Sequence, residues 1–267
     1  MKKILLIIVC LLSFTLIACK NATYFRYKDS DKYQIGEATF DVDNVKSIKI
    51  EWAGTDAIVT SYEGEKIHIY EELDEGTNEK YQLHYYLNND TLLIEPCASL
   101  MFPQFNFQVK VLHVELPNTM TISNLELMDL ELVSTKGTIS NVNAKKIKIE
   151  SVSGSLNVAN LNADEIRVRS VSGSIAIDGI TSDTLDVEAV SGSIDLKNIN
   201  ANTDVEATSG KIDIYLNSDS SFIIKNKTVS GSIENEFDSF SQGENPITFD
   251  IETVSGSIKI HKVIIGG

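Results

Sequence analysis

V-S-G-S-I stands at residues 171–175, and the same five letters return at 190–194, 229–233 and 254–258. V-S-G-S-L occupies 152–156, and a degenerate copy, T-S-G-K-I, occupies 208–212. With the central glycine of each copy as zero, Gly137, Gly154, Gly173, Gly192, Gly210, Gly231 and Gly256 follow one another at spacings of 17, 19, 19, 18, 21 and 25 residues. Apolar residues hold fixed offsets around them. Positions −7, −5 and −2 read Ile147, Ile149, Val152, then Ile166, Val168, Val171, then Leu185, Val187, Val190, and in the last copy Phe249, Ile251, Val254. Positions +2 and +4 read Leu156 and Val158, Ile175 and Ile177, Ile194 and Leu196, Ile212 and Ile214, Ile258 and Ile260. Position +7 reads Leu161, Ile180, Ile199.

An internal period near nineteen, with several apolar residues per period, marks stacked units none of which can cover its own apolar row. The pattern predicts an all-β fold, a parallel β-solenoid with two short strands per coil at about −8 to −4 and +1 to +5, neighbouring coils being about 4.8 Å apart. The residues between the apolar ones, among them Lys148, Arg167, Asp186, Asp195 and Asp213, make a wet outer face. V-S-G-S then reads as a corner. Glycine takes φ > 0 without strain, the serines are placed to bond backbone groups at the bend, and the valine at −2 is expected to turn inward and plug it. A nucleophilic serine would need one distinct copy with a histidine beside it. Near-identical repetition favours a structural turn over a catalytic residue.

The chain begins MKKILLIIVCLLSFTLIAC. Two lysines, a short apolar run from Ile4 to Phe14 and a small residue before Cys19 have the layout of a secretory signal, and the run is too short for a comfortable membrane span. Leu16, Ala18 and Cys19 resemble a bacterial lipobox, which implies removal of 1–18 and a diacylglycerol-bearing Cys19. Residues 19–34 read as a polar tether, 35–117 as a β-rich part and 118–267 as the repeat solenoid. In the β-rich part, bursts such as KSIKIEW (46–52), DAIVTSY (55–61), YQLHYYL (81–87) and TLLIEP (91–96) alternate apolar and polar residues between turn residues. That is the strand period, and Asn88-Asn89-Asp90 reads as a hairpin turn.

The repeated phrase, carried by Val152–Ser155, Val171–Ser174, Val190–Ser193, Val229–Ser232 and Val254–Ser257, resembles a bacterial envelope family of unknown function whose members are called putative adhesins. The run from VKSIKIEW (45–52) through YQLHYYLNNDTLLIEP to the strand ending Leu116-Pro117 is similar to the same family. The resemblance spans about 38–263 and implies a β-solenoid in the cell envelope, with no established reaction. Two stretches depart from the regular pattern, 215–228 and 233–248.

The formal net charge of −15 argues against nucleic acid as a partner and against electrostatic adhesion to anionic headgroups. His68, His84, His113 and His261 each lie in a strand pattern, without zinc-site spacing. No calcium loop or phosphate cradle is present. With Cys10 in the signal and Cys19 acylated, Cys97 is left alone, as a small buried hydrophobe rather than a nucleophile. The expectation is a non-catalytic envelope lipoprotein without metal or cofactor, held to the membrane at Cys19 and binding an envelope protein or glycan. Two alternatives are weighed against it. A β-solenoid polysaccharide lyase or hydrolase needs clustered carboxylates with Arg or Lys, whereas Arg26, Arg167 and Arg169 are few, the latter two reading as surface ion pairs with Asp164 and Glu165. A polymerising scaffold needs uncapped ends, and the final IKIHKVIIGG reads as a cap.

Overall fold

The computed structural model describes residues 25–101, 107–218, 220–237 and 245–263. The expected signal at 1–18, Cys19 and the first part of the expected tether lie outside the described residues. In chain order the strands are β1 (Gln34–Ile35), β2 (Ala38–Asp41), β3 (Ser47–Trp52), β4 (Asp56–Tyr62), β5 (Lys66–Leu73), β6 (His84–Asn88), β7 (Thr91–Glu95), β8 (Lys110–Pro117) and β9 (Leu127–Leu132). There follow β10 (Lys136–Asn143), β11 (Lys146–Ser153), β12 (Leu156–Ser172), β13 (Ile175–Ser191), β14 (Ile194–Asn217), β15 (Phe222–Ser230), β16 (Ile233–Asn235) and β17 (Ile247–Val263). All join one 17-stranded, mostly parallel sheet. It curls on itself into a β-solenoid-like body whose apolar interior is a single cluster from Val45 to Ile260.

The apolar offsets become ladders. Met128, Ile147, Ile166 and Leu185 stand side by side on successive strands, as do Leu130, Ile149, Val168, Val187, Val205 and Ile251. Beyond the bend, Ile139, Val158, Ile177 and Leu196 form the facing ladder. All are buried, and a fully buried Val, Leu or Ile contributes about 1.5–3 kcal/mol relative to an exposed one. The parallel stack reaches back into the N-terminal strands. β3 lies in parallel beside β9, with Ile48 opposite Met128 and Ile50 opposite Leu130, and β4 lies beside β10. β7 and β8 add a further layer, and that end is closed by antiparallel β6 with β1 and β5 with β2. The turn at Asn88-Asn89-Asp90 joins β6 to β7 as a hairpin, with Asn89 at φ +57°.

At the V-S-G-S corner the glycines stack directly on one another. Gly154, Gly173, Gly192 and Gly210 have φ of +118°, +139°, +140° and +135°. A Cβ on Gly154 would overlap the Thr135 carbonyl, one on Gly173 the Gly154 carbonyl, one on Gly192 the Gly173 carbonyl, and one on Gly210 the Gly192 carbonyl. Both backbone conformation and close approach therefore require glycine. Gly256 and Gly231 extend the column without a left-handed φ. Gly137 does not belong to it. It pairs with Leu156, two places past the corner, and Thr135 occupies the corner of that coil, so the spacing of 17 was a misalignment of the repeat. The polar groups at the bend are satisfied from backbone to backbone rather than through serine hydroxyls. Gly154 N–H donates to Ser172 O at 3.2 Å, Gly173 N–H to Ser191 O at 3.2 Å, and Leu156 N–H to Ser174 O at 2.8 Å.

Three expectations change. The valines at −2 do not point inward: Val152, Val171, Val190 and Val254 are half-buried on the outer side, and Val229 is 60% exposed. Strand parity places −3 inside, after −7 and −5, and that column holds the small residues Ser151, Ser170, Ala189, Ala207 and Thr253. Four successive coils also bend a second time, at Asn141, Asn160, Gly179 and Asn198, all left-handed with φ between +51° and +79°. Asn tolerates that region, and Asn160 Nδ2 donates to Asn141 Oδ1 at 3.1 Å. The signal for this bend was an Asn or Gly six residues after the corner glycine.

The last two coils are also exchanged. β17 lies between β14 and β15, with Val205 opposite Ile251 and Asn226 opposite Ile251 on its other side. Ile258 and Ile260, in the stretch read as a terminal cap, are buried within the stack. The outermost coil is β15 with β16, where Ile223, Val229 and Ile233 are exposed. At the other end, residues 25–34, read as tether, lie against the body, with Phe25 buried against Ala53 and Cys97.

Gly173→Ala is expected to destabilise the chain lacking residues 1–19 by on the order of 1–3 kcal/mol from the strained backbone alone, with the carbonyl overlap adding to it. Gly137→Ala should cost less, because the Leu132 and Leu156 side chains it would meet are free to shift. Ser170→Ala should be neutral or stabilising, since the Ser170 hydroxyl is buried without a partner. Urea midpoints of the three variants check the order, and a Gly173→Ala midpoint equal to wild type would show the corner to be misassigned.

Candidate functional site

Because the strands stack in register, every outward residue joins a row of its equivalents. On the outer face of the layer containing β9 and β11, one row reads Lys49, Asp129, Lys148, Arg167, Asp186, Asp204, Asp250, Lys225. The next reads Glu51, Glu131, Glu150, Arg169, Glu188, Glu206, Glu252, Lys227. Ion pairs cross from coil to coil. Lys148 Nζ lies 3.0 Å from Glu150 and 3.4 Å from Asp129, Arg167 Nε 2.9 Å from Asp186, and Arg169 Nη2 2.5 Å from Glu188. The arginine partners are therefore Asp186 and Glu188 of the following coil, not Asp164 and Glu165.

Past the arginines, six carboxylates fill three adjacent strands: Asp186, Glu188, Asp204, Glu206, Asp250 and Glu252. Five of them, Asp186, Glu188, Asp204, Glu206 and Asp250, line a shallow open groove with Arg167, Asn202 and Thr248, and Lys225 and Lys227 stand beside Asp250 and Glu252 on the next strand. Nothing in the linear order brings Asp250 and Glu252 beside Asp204 and Glu206. The insertion of β17 does so. Half-buried among like charges, the Glu206 carboxyl is pushed up to about 7, first by burial and then by Asp204, Glu188, Asp186 and Glu252. Glu188 is also raised, by burial, against the opposing pull of Arg169.

Toward the other end of the same face the acid rows disappear under the N-terminal segment. Glu95 is buried, its Oε2 has no partner among the described residues, and its carboxyl is held well above the usual range by burial and by Glu51 and Glu131. The rings of Tyr27 and Tyr33 lie 4.3 Å apart in this segment, tilted by 38°. Cys97 lies here too, 3% exposed, with burial pushing its thiol up to about 12. It is a protonated core residue at neutral pH and offers no thiolate.

The remaining faces are less charged. Asn162, Thr181, Ser182, Asn200 and Asn202 line a polar trough, and Thr138, Asn157, Ala159 and Ala176 line another shallow surface. His68 bridges Glu37 and Glu115 at 2.7 and 2.9 Å. His261 sits 3.0 Å from Asp213 and stacks on Tyr215. His84 is buried, its Nδ1 2.8 Å from the Gln82 carbonyl oxygen, and His113 stacks face to face on Tyr70. Among the described residues no three His, Cys, Asp or Glu are grouped to hold a metal ion, and no helix is long and apolar enough to cross a membrane.

A family model described as Toastrack DUF4097 matches residues 45–262. No curated protein matches the chain. Among solved structures, a putative adhesin from Bacteroides fragilis is 15% identical, with a TM-score of 0.50 over 86% of this chain and 97% of that one. A putative lipid binding protein from Parabacteroides distasonis is 14% identical, with a TM-score of 0.47 over 87% and 97%. A putative cell adhesion protein from Clostridium sporogenes is 12% identical, with a TM-score of 0.41 over 87% and 100%. At these identities the likeness is one of fold.

Glu206 supplies a pH test. Folded, it keeps its proton up to about pH 7, whereas its ordinary value is 4.5. The folded state therefore binds the extra proton between those values. The stability it contributes is present below about pH 4.5 and lost as pH rises through about 7. Glu206→Gln is expected to raise the urea midpoint at pH 8 and to leave it nearly unchanged at pH 4, flattening the slope between. An unchanged slope would show that Glu206 titrates normally.

Proposed function

We propose that this chain, which belongs to the Toastrack DUF4097 family, is a non-catalytic lipoprotein of the cell envelope. It is anchored through Cys19 and presents the charged outer face of a parallel β-solenoid, with coils of about nineteen residues, to a cationic protein or amine-bearing glycan of the envelope. The observation that carries the reading is the carboxylate groove from Asp186 to Asp250, fixed on stacked strands and bordered by cations. A rigid row of like charges at strand spacing gains its attraction to a cationic partner without ordering flexible side chains first. Cys19 supports the envelope assignment through its lipobox setting, and the likeness in fold to a putative adhesin from Bacteroides fragilis accords with a binding role.

A second reading has one observation behind it. Glu206, protonated near neutral pH, stands one coil from Glu188 and its partner Arg169, and a proton-holding carboxyl beside an ionised one is what glycan cleavage requires. Release of reducing ends from envelope glycans, lost on Glu206→Gln, would replace the binding reading with a lyase or hydrolase.

Two measurements test the proposal. The soluble chain should bind envelopes stripped of this protein, less so as salt rises, and Glu188→Lys with Glu206→Lys should weaken that binding by about tenfold or more. Equal binding by the double variant would remove the groove from the function. Cys19→Ala should abolish incorporation of a fatty-acid analogue, because only a thiol there can receive the diacylglycerol. Undiminished label would refute the anchor.

A further inference from the structure

The chain does not hang from its N-terminus on a long leash. Phe25 N–H donates to Met101 O at 3.1 Å, and Leu100 N–H donates to Phe25 O at 2.6 Å. Tyr27 N–H donates to Ser99 Oγ at 3.3 Å, and the Tyr27 hydroxyl donates to Cys97 O at 3.0 Å. Phe25 is 7% exposed, packed with Cys97, Ala53 and Met101. Phe25, the first of the described residues, is therefore already docked, six residues after Cys19. At full extension six residues span about 20 Å.

The corner at which the chain enters the body is apolar. Leu100 is 61% exposed and sits at φ +69°, a left-handed conformation uncommon for a non-glycine residue. Val109 is exposed as well. Half-buried Tyr81 and Met101 both pack against Phe25, Ala53 and Cys97, and the Tyr81 ring lies 6.5 Å from that of Phe107. Arg26, Lys28 and Lys80 are exposed around the same corner, and Ala98 N–H ties the loop to the Lys80 carbonyl at 2.8 Å. The Asp74 carboxylate also lies here, accepting from the Gln108 and Val109 N–H groups at 2.9 and 3.0 Å, so exposed Leu100 and Val109 stand among charges of both signs at the corner where the described chain begins.

From this we propose that the Leu100 corner is the membrane-contacting edge of the body, with Leu100 and Val109 entering the lipid interface beside the acyl chains on Cys19. The inference rests on the reading of Cys19 as the anchor. The contact is with lipid rather than with a second copy, because a leash of about 20 Å leaves this corner the part of the body nearest the bilayer. A single anchor is reinforced by a nearby apolar insertion. The exposed outermost coil, at the opposite end of the stack, then points away from the membrane.

The test uses the full, acylated chain in vesicles of phosphatidylcholine with brominated acyl chains. Leu100→Trp and Val109→Trp are compared with Val229→Trp on the outermost coil, against the background of buried Trp52. The added tryptophan at 100 or 109 should be quenched at least about twofold more than that at 229. Fatty-acid label present with equal quenching at all three positions would overturn the membrane edge and leave the anchor standing. Absence of label would overturn both. Quenching at 100 and 109 no greater than at 229, together with a dimer on a sizing column that Leu100→Asp dissolves, would assign the corner to a second copy instead. Urea midpoints within error of wild type establish that each variant is folded.

Discussion

The close approach of one glycine to the carbonyl of the glycine below it sets the geometry of the body. At Gly154, Gly173, Gly192 and Gly210 no side-chain atom separates successive coils, so the backbones meet at strand spacing and the corner N–H groups bond to the next coil. Given that contact, the isoleucines and valines on either side have no freedom of register. A slip of one residue would turn the inner ladder outward. The inward position just before the bend is held by small buried residues, Ser151, Ser170, Ala189 and Ala207. Two of them are hydroxyls without partners, which suggests that volume outweighs polarity there.

The same register produces the charged face. A residue pointing outward in one coil is repeated by its equivalents above and below, so a single Asp or Arg becomes part of a row. Opposite charges meet in the row at Asp129 with Lys148 and at Arg167 with Asp186, and three aspartates, Asp186, Asp204 and Asp250, then follow one another. The raised carboxyl of Glu206 records the cost of stacking like charges. A cleft lined by one sign of charge focuses the field outward and attracts groups of the opposite sign.

Much of this was legible in the residues. The offsets of Ile147, Ile149, Leu156 and Val158 show a stacked, strand-based body, because strand parity and repetition are local properties. The valine at −2 was misread because its apolar character was given more weight than its parity. Gly137 was misread because its T-x-G setting resembles the corner, whereas Thr135 holds that place. The exchange of the last two coils was not legible, since the choice of neighbour for β17 depends on pairing across 46 residues, as from Val205 to Ile251. With that exchange hidden, the gathering of six carboxylates was hidden too. The docking of Phe25 was equally obscure, because its partners Ala53, Cys97 and Met101 are scattered and share no period.

The place of β17 changes how the molecule can come apart and come together. A simple stack loses its ends first, and a chain cut short at its C-terminus is merely a shorter stack. Here β17, made after β15 and β16, is an inner layer, with β14 on one side and β15 on the other. Until β17 is made, β15 and β16 lack the strand on which they pair, and β14 stands as an open edge. Closure of this end of the stack therefore waits for β17, and a product truncated before residue 247 lacks the layer that joins β15 and β16 to the rest.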